Sequence, residues 1–340
     1  MTEVSAIVAD VRARGDSALA DWAERFDGVE PRRAEPTGEV PEDALLALAD
    51  AVRRWHELQR PVDLTEEILP GVVLERRWTP LASVGIYVPR RLVSTLVMCA
   101  VTAQVAGVGR IAVATPPDGA GLVARAAELL GLSEVWAVGG PQAIAALAYG
   151  TETIAPVDKI VGPGNAFVNE AKQIVSQDVA VDLPAGPSEV VVLASEGADL
   201  AVAGLELAAQ LEHGPDGLCR LLEADGDLEG ALARVEAMAP EHLVLLGEQA
   251  EQLAPQVRNA GAVFVGRWSP VAAGDYATGA NHVLPTGGRA RAVGGLGLEA
   301  FLKPVTVQRL TPAGLEGVRP VVEALADLEG MPAHAEAVRR

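Results

Sequence analysis

Apolar positions recur with helical spacing along the first sixty residues. Val4, Ile7, Val8, Val11, Leu19 and Trp22 share one side of a predicted helix over 2–26, with Gly15 as its point of interruption. Leu45, Leu46, Leu48, Val52 and Trp55 share one side of a second helix over 42–59, and a polar, proline-containing link from Asp27 to Pro41 joins the two. His56 on the second helix reads as a structural or surface residue. The segment VVLERRWTP at 72–80 reads as a strand entering a turn. From Val84 the rhythm changes. Short apolar runs at 84–88, 110–114, 134–138 and 159–161 alternate with helical stretches at 94–106, 122–130, 141–148 and 166–175. A second alternation follows the turn at Gly186-Pro187-Ser188. It places strands at 189–193, 218–222, 243–246 and 262–265 and helices at 199–212, 228–238 and 248–259. Strands separated by single helices predict parallel βαβ units.

The predicted fold class is therefore α/β: two Rossmann-like (incomplete) parallel-sheet domains with helical N- and C-terminal segments. The expected boundaries are 1–60 for the N-terminal helical segment, 61–180 and 181–310 for the two α/β domains, and 311–340 for the helical tail. Open parallel sheets bind ligands at the carboxyl ends of their strands. That rule gathers Tyr87, Gly139, Gly140, Gln142 and the turn 162–165 on one rim. Gly162-Pro163-Gly164-Asn165 precedes a helix and can offer backbone N–H groups to an anion. A GxGxxG fingerprint is absent from the sequence. The Gly-rich stretch 266–297 is long for a loop inside a compact domain, which marks it as functional.

Charge narrows the partners. A formal net charge of −19 over 340 residues argues against nucleic acid or an anionic membrane as the partner. An anionic cofactor has to be held by backbone dipoles or a few placed cations. Cys99 and Cys219 lie in apolar surroundings, which points to a reducing compartment. The start MTEVSAIVADVRARG reads as an amphipathic helix rather than a signal peptide, and charged, Gln or Gly residues interrupt every apolar run. The expectation is a cytoplasmic protein.

Candidate chemistry centres on ELAAQLEHGPDG at 206–217. It reads as the end of a helix with Leu205, Leu207, Ala208 and Leu211 inward. Gln210 and His213, three apart, leave the same face, and Gly214-Pro215 stops the helix. This is either half of a metal site or a solvated helix end with a capping histidine. His242 in APEHL, His282 in GANHVLPT and His334 in EGMPAH also sit in polar, turn-rich motifs. They lie too far apart for a local zinc finger and suit a site assembled from several elements. Pro240-Glu241-His242 reads equally as a helix-to-strand turn or as a carboxyl–imidazole pair brought to one pocket.

The motifs GIYVP, GGPQAIAALAYGTETIAPVDKIVGPGNAFVNEAK, AGPSEV, QLEHGPD, APEHL, GDYATGANHVLPT and EGMPAH resemble, in this order, those of the histidinol dehydrogenase family. The resemblance runs from about residue 4 to the C-terminus. It implies a zinc-containing homodimer that oxidises L-histidinol to L-histidine through L-histidinal with two NAD, the last step of histidine biosynthesis. Carried over by motif, it implies that Gln210, His213, Asp275 and His334 bind zinc and contact substrate. Such a set has one charged and three neutral ligands and leaves the metal a good Lewis acid. It implies that Glu241 and His242 are the acid/base pair, with His242 also touching substrate. Ser188, His282 and Glu329 would contact substrate; Tyr87, Gln142 and Asn165 would contact NAD. In the family the C-terminal segment serves the partner subunit, so Glu329 and His334 would complete the other chain's site.

Three features depart from the family pattern. Arg90-Arg91 follows GIYVP where the family carries paired glycines and a longer loop. Only 27 residues lie between His213 and Glu241, where the family has several tens more. The N-terminal arm also starts late. The predicted ligands and the acid/base pair are all retained, which favours histidinol oxidation on a trimmed scaffold. The alternatives are a dehydrogenase of another small amino or sulfonated alcohol, and a catalytically inactive metal-binding paralogue.

Overall fold

A computed structural model describes residues 3–182, 186–212, 214, 217–224 and 226–339. His213, in the expected ligand set, lies outside the described residues. The chain forms two compact units: residues 1–59 with 81–301, and residues 60–80 with 302–340. This division differs from the four sequential segments expected, because the second unit joins two stretches that are distant in sequence.

In the first unit the N-terminal pattern becomes two helices, Glu3–Arg14 and Asp16–Asp27. Gly15 breaks them at φ +58°, and a Cβ there would sit 2.3 Å from a Glu152 carboxylate oxygen. That oxygen accepts from the Asp16 amide at 2.7 Å, so the glycine lets the new helix start be capped. The helices bury Val4, Val8, Val11 and Leu19 in a core shared with Ile144, Leu147 and Val168. His56 is fully buried, its Nδ1 2.7 Å from the Val52 carbonyl, which is the structural role expected.

The first sheet has six strands in the order Arg32–Arg33, Val135–Ala137, Arg110–Thr115, Ser83–Tyr87, Lys159–Val161, Ala180–Val181. All neighbours are parallel except the first pair. The two-residue strand Arg32–Arg33 arises inside the polar link, where no periodicity announces it. The second sheet has four parallel strands in the order Leu218–Glu223, Glu189–Ala194, His242–Leu246, Ala262–Val265. Its central strands are apolar on both faces: Val191, Leu193, Leu243 and Leu245 enter one core, Val190, Val192, Val244 and Leu246 the other. Near-continuous apolar runs are what a two-sided parallel sheet requires.

Two expectations are corrected. The helix expected over 248–259 ends at Glu251 and is followed by a 3₁₀ turn at Ala254–Gln256. Pro255 has no amide hydrogen with which to continue it. In the helix Leu200–Leu211 the inward face is Ala203, Glu206 and Gln210, while Leu205 and Leu211 are 70% and 61% exposed. Polar partners decide the rotation: Glu206 accepts from the Val271 amide at 3.1 Å, and Gln210 reaches Ser188.

A buried ion pair fixes the turn after Lys159–Val161. The Lys172 ammonium donates to Asp182 and, at 2.9 Å, to the Gly162 carbonyl; the other Asp182 oxygen accepts from the Gly162 amide at 2.6 Å. Gly162 has φ +109°, and a Cβ there would lie 2.2 Å from the Tyr87 carbonyl oxygen.

The second unit is an antiparallel sheet in the order Leu302–Leu310, Val72–Pro80, Leu64–Leu69, with helices Pro312–Leu328 and Pro332–Ala337. Among the described residues no helix is long and apolar enough to cross a membrane.

Removing one partner of a buried ion pair strands the other charge. Lys172→Met is therefore expected to lose about 3–5 kcal/mol of stability, measured by urea unfolding. A loss below about 1 kcal/mol would class the pair with solvated surface pairs.

Candidate functional site

The acid/base candidates, Glu241 and His242, lie at the amino end of the strand His242–Leu246, beside the amino end of Glu189–Ala194 in the second sheet. His242 pairs with Val190 in parallel register, so the residues just ahead of both strands meet. Ala239, left-handed at φ +49°, and Pro240 turn the chain into Glu241. The Glu241 carboxylate accepts from the Ser188 hydroxyl at 2.7 Å and the Glu189 amide at 2.9 Å. The Glu241 amide donates back to the Glu189 carboxylate at 3.2 Å. Burial pushes the Glu241 carboxyl up to about 7; the hydrogen bonds from Ser188 and Glu189 oppose the rise, and the charges of Glu189 and Asp275 add to it.

His242 is buried beside it. Its Nδ1 lies 3.0 Å from the Glu189 carbonyl oxygen and 3.5 Å from Glu241, and its Nε2 lies 4.0 Å from Asp275. A proton on Nδ1, donated to that carbonyl, leaves Nε2 as the basic nitrogen. His282 places Nδ1 3.0 Å from the Asp275 carbonyl and Nε2 3.4 Å from the Thr95 hydroxyl. Ser188, Glu241, His242, Asp275 and His282 line one pocket of about 190 Å³. Two of these, and Glu189, come from the amino ends of parallel strands, opposite to the carboxyl-end rule that serves the first sheet.

Gln210 is buried and joins this cluster through Ser188, 3.4 Å from its Oε1. Its Nε2 is buried with no hydrogen-bond partner among the described residues. The two ends of a carboxamide are interchangeable in assignment, so the side chain can turn its oxygen to a cation there. That unmatched polar atom, with Asp275 and two imidazoles around the pocket, fits a hard or borderline metal. Among the described residues no cluster of three or more His, Cys, Asp or Glu is gathered at metal-binding distance. Glu329 and His334 are exposed and belong to the second unit.

The residues expected on the NAD side also come together. Tyr87, Gln142 and Asn165 line a pocket of about 280 Å³ with Asp27, Arg90 and Phe167. The Tyr87 hydroxyl accepts from the Gly140 amide at 3.2 Å, and burial raises its pKa to about 12. Asp27 accepts from the Gly139 amide at 3.3 Å and from Gln142 at 3.4 Å, and burial raises its pKa too. Asn165 caps its helix by accepting from the Val168 amide at 3.0 Å. A cleft lined by both Asn165 and Ser188 runs between this side and the acid/base side. Asp27 and Glu189 are the residues that sequence reasoning passed over. Glu189 sat inside AGPSEV without a role, and Asp27 opened the polar link with nothing to single it out.

Two parallel-sheet halves, a buried carboxyl–imidazole pair and an adjoining helix-rimmed pocket give an α/β protein whose buried groups are able to exchange protons. The sequence model of histidinol dehydrogenase matches residues 1–228 and 224–340. Histidinol dehydrogenase of Methanothermobacter thermautotrophicus is 41% identical over 392 aligned residues, covering 99% of this chain and 92% of that protein. The Yersinia pestis enzyme is 40% identical, covering 98% and 88%. The crystal structure of histidinol dehydrogenase from Elizabethkingia anophelis superposes with a TM-score of 0.91 at 32% identity, covering 99% of this chain and 90% of that one. An acetylating aldehyde dehydrogenase from Geobacillus thermoglucosidasius shares the fold at TM-score 0.53 and 13% identity, covering 89% of this chain and 90% of that one. The chain belongs to the histidinol dehydrogenase family, a family of oxidoreductases.

The aligned length exceeds the 340 residues of the chain, so the relative carries residues with no counterpart here. The two stretches of the family match meet at 224–228, between His213 and Glu241, where the sequence is short. That junction follows Glu223, which pairs with Ala194, whereas Leu218 pairs with Glu189. It therefore lies at the carboxyl end of the sheet, five strand residues or roughly 17 Å from the acid/base end.

In the metal-free protein, Glu241 keeps its proton up to about 7 when folded and releases it near 4.5 when unfolded. Its contribution is complete below 4.5 and is lost as the pH rises through 7. Relative to Glu241→Gln, the wild type is expected to lose about 1–3 kcal/mol between pH 4.5 and 8, read by urea unfolding at both pH values. A pH-independent difference would show that the carboxyl is not desolvated.

Proposed function

We propose that this chain oxidises L-histidinol to L-histidine through L-histidinal with two NAD and a bound zinc ion, the last step of histidine biosynthesis. The observation that carries the reading is the buried Glu241–His242 pair, held by Ser188 and Glu189 and facing the same pocket as Asp275 and His282. Gln210, His213, Asp275 and His334 would hold zinc, and Tyr87, Gln142 and Asn165 would line the NAD side. The chemistry these groups supply when bound is Lewis-acid polarisation of the substrate and hydride acceptance.

The chain's own residues handle the protons. Nε2 of His242 takes the hydroxyl proton as the alcohol is oxidised. Glu241, whose carboxyl titrates near neutrality, takes a proton from the water that adds to the aldehyde. His242 then takes the hydroxyl proton of the hydrate in the second oxidation. Ser188, His282 and Glu329 would orient the substrate. The exposure of Glu329 and His334 supports their service to a partner subunit's pocket, in a cytoplasmic homodimer with shared active sites. The placement of the shortened segment at the far end of the sheet supports retention of activity.

The test is NADH formation with L-histidinol, expected at two NADH per substrate, lost on chelation and restored by zinc. No NADH from zinc-loaded protein would overturn the reading. Glu241→Gln is expected to lower kcat by about 10²–10⁴ with zinc content unchanged, whereas Gln210→Ala lowers zinc content. Zinc loss in Glu241→Gln would count against an acid/base role for Glu241.

A further inference from the structure

The pocket lined by Tyr87, Gln142 and Asn165 has an uneven distribution of charge. Resting on the cofactor reading above, we infer that Arg90 binds the pyrophosphate of the dinucleotide.

The first observation is electrostatic. The chain carries a net charge of −19, and the charged groups lining this pocket are Glu3, Asp27 and Arg90. The amino end of the helix Gly140–Tyr149 would ordinarily offer its amides to an anion. Here the Asp27 carboxylate already takes the Gly139 amide at 3.3 Å, and the Tyr87 hydroxyl takes the Gly140 amide at 3.2 Å. The helix that follows Asn165 is capped by that side chain, which takes the Val168 amide. A phosphate approaching the first helix end meets a carboxylate. The cation lining the pocket is the Arg90 guanidinium, which can grip phosphate oxygens in a bidentate fork.

The second observation is backbone geometry. Arg90 has φ +40°, and the other non-glycine residue with positive φ among those described is Ala239, at the turn into Glu241. A residue with a Cβ adopts this conformation at an energetic cost and keeps it when its neighbours impose it. The Thr115 hydroxyl donates to the Arg90 carbonyl at 3.2 Å. The Arg91 stem packs over Gly119, where an added Cβ would lie 2.6 Å from the Arg91 Cγ. The Arg91 guanidinium pairs with Asp118 at 3.4 Å. These contacts tie Arg91 outward, while Arg90 lines the pocket and no carboxylate lies within ion-pair distance of it among the described residues. The strained turn thus keeps one unneutralised guanidinium beside the Tyr87–Gln142–Asn165 wall.

The experiment is calorimetric titration of NAD, ADP and adenosine into the zinc-loaded wild type, Arg90→Gln and Arg90→Gly, at low and high salt. Both variants are expected to bind NAD and ADP about tenfold or more weakly, to bind adenosine as the wild type does, and to show a smaller salt dependence. Arg90→Gly places at φ +40° the residue that favours it, so its melting temperature should equal or exceed that of the wild type, separating lost affinity from a damaged fold. NAD affinity that is unchanged or tighter in Arg90→Gly overturns the inference, makes Arg90 a bystander or an obstruction, and leaves the cofactor reading standing. A wild type that binds no NAD overturns both.

Discussion

The site depends on one buried ion pair. Lys172 and Asp182 hold both the carbonyl and the amide of Gly162, at the point where the chain presses against the Tyr87 backbone and only a glycine fits. From that anchored residue the chain runs through Pro163, which lines the pocket of Glu241 and His242, to Asn165, which lines the pocket of Tyr87 and Gln142. Burial raises the Asp182 carboxyl pKa, and the ammonium beside it pulls the other way. A charge pair in such a place is weak evidence of net stabilisation. Its contribution is positional: backbone hydrogen bonds to ionised partners keep the turn in one conformation.

A second constraint is the parallel register of Glu189–Ala194 and His242–Leu246. Because the strands start side by side, one residue, Glu189, holds both Glu241 and His242. Its amide binds the Glu241 carboxylate, its carbonyl orients His242, and its side chain holds the Glu241 amide and, at 2.9 Å, the Gly287 amide. The same burial that organises these bonds raises the Glu241 pKa toward neutrality, where a carboxyl is able both to take and to return a proton. Placement at the amino ends also separates the chemistry from the junction at 224–228. The sheet can be trimmed at its other end without a site residue moving.

Much of the fold was legible in the residues. Apolar runs of three to five residues between helical stretches gave the two parallel sheets, because a strand buried on both faces must be apolar throughout. The rim of Tyr87, Gln142 and Asn165 followed from the carboxyl-end rule. The inward face of the helix Leu200–Leu211 did not follow. Periodicity assigns leucines to the core, yet Glu206 and Gln210 turn inward because an amide and a hydroxyl await them. The strand Arg32–Arg33 was equally silent, since two residues carry no period.

The sequence by itself determined the family, the two βαβ alternations and the residue types able to do the chemistry, since motif order and hydrophobic spacing are local properties of the chain. The tertiary structure decided which of those residues meet. It joined 60–80 to 302–340 in a separate antiparallel unit, set Asp27 on the Gly139 amide, and turned Arg90 left-handed beside the pocket of Tyr87, Gln142 and Asn165. Each of these rests on contacts between segments far apart in sequence. Burial, charge and backbone strain are fixed only when those segments pack, so no local pattern can announce them.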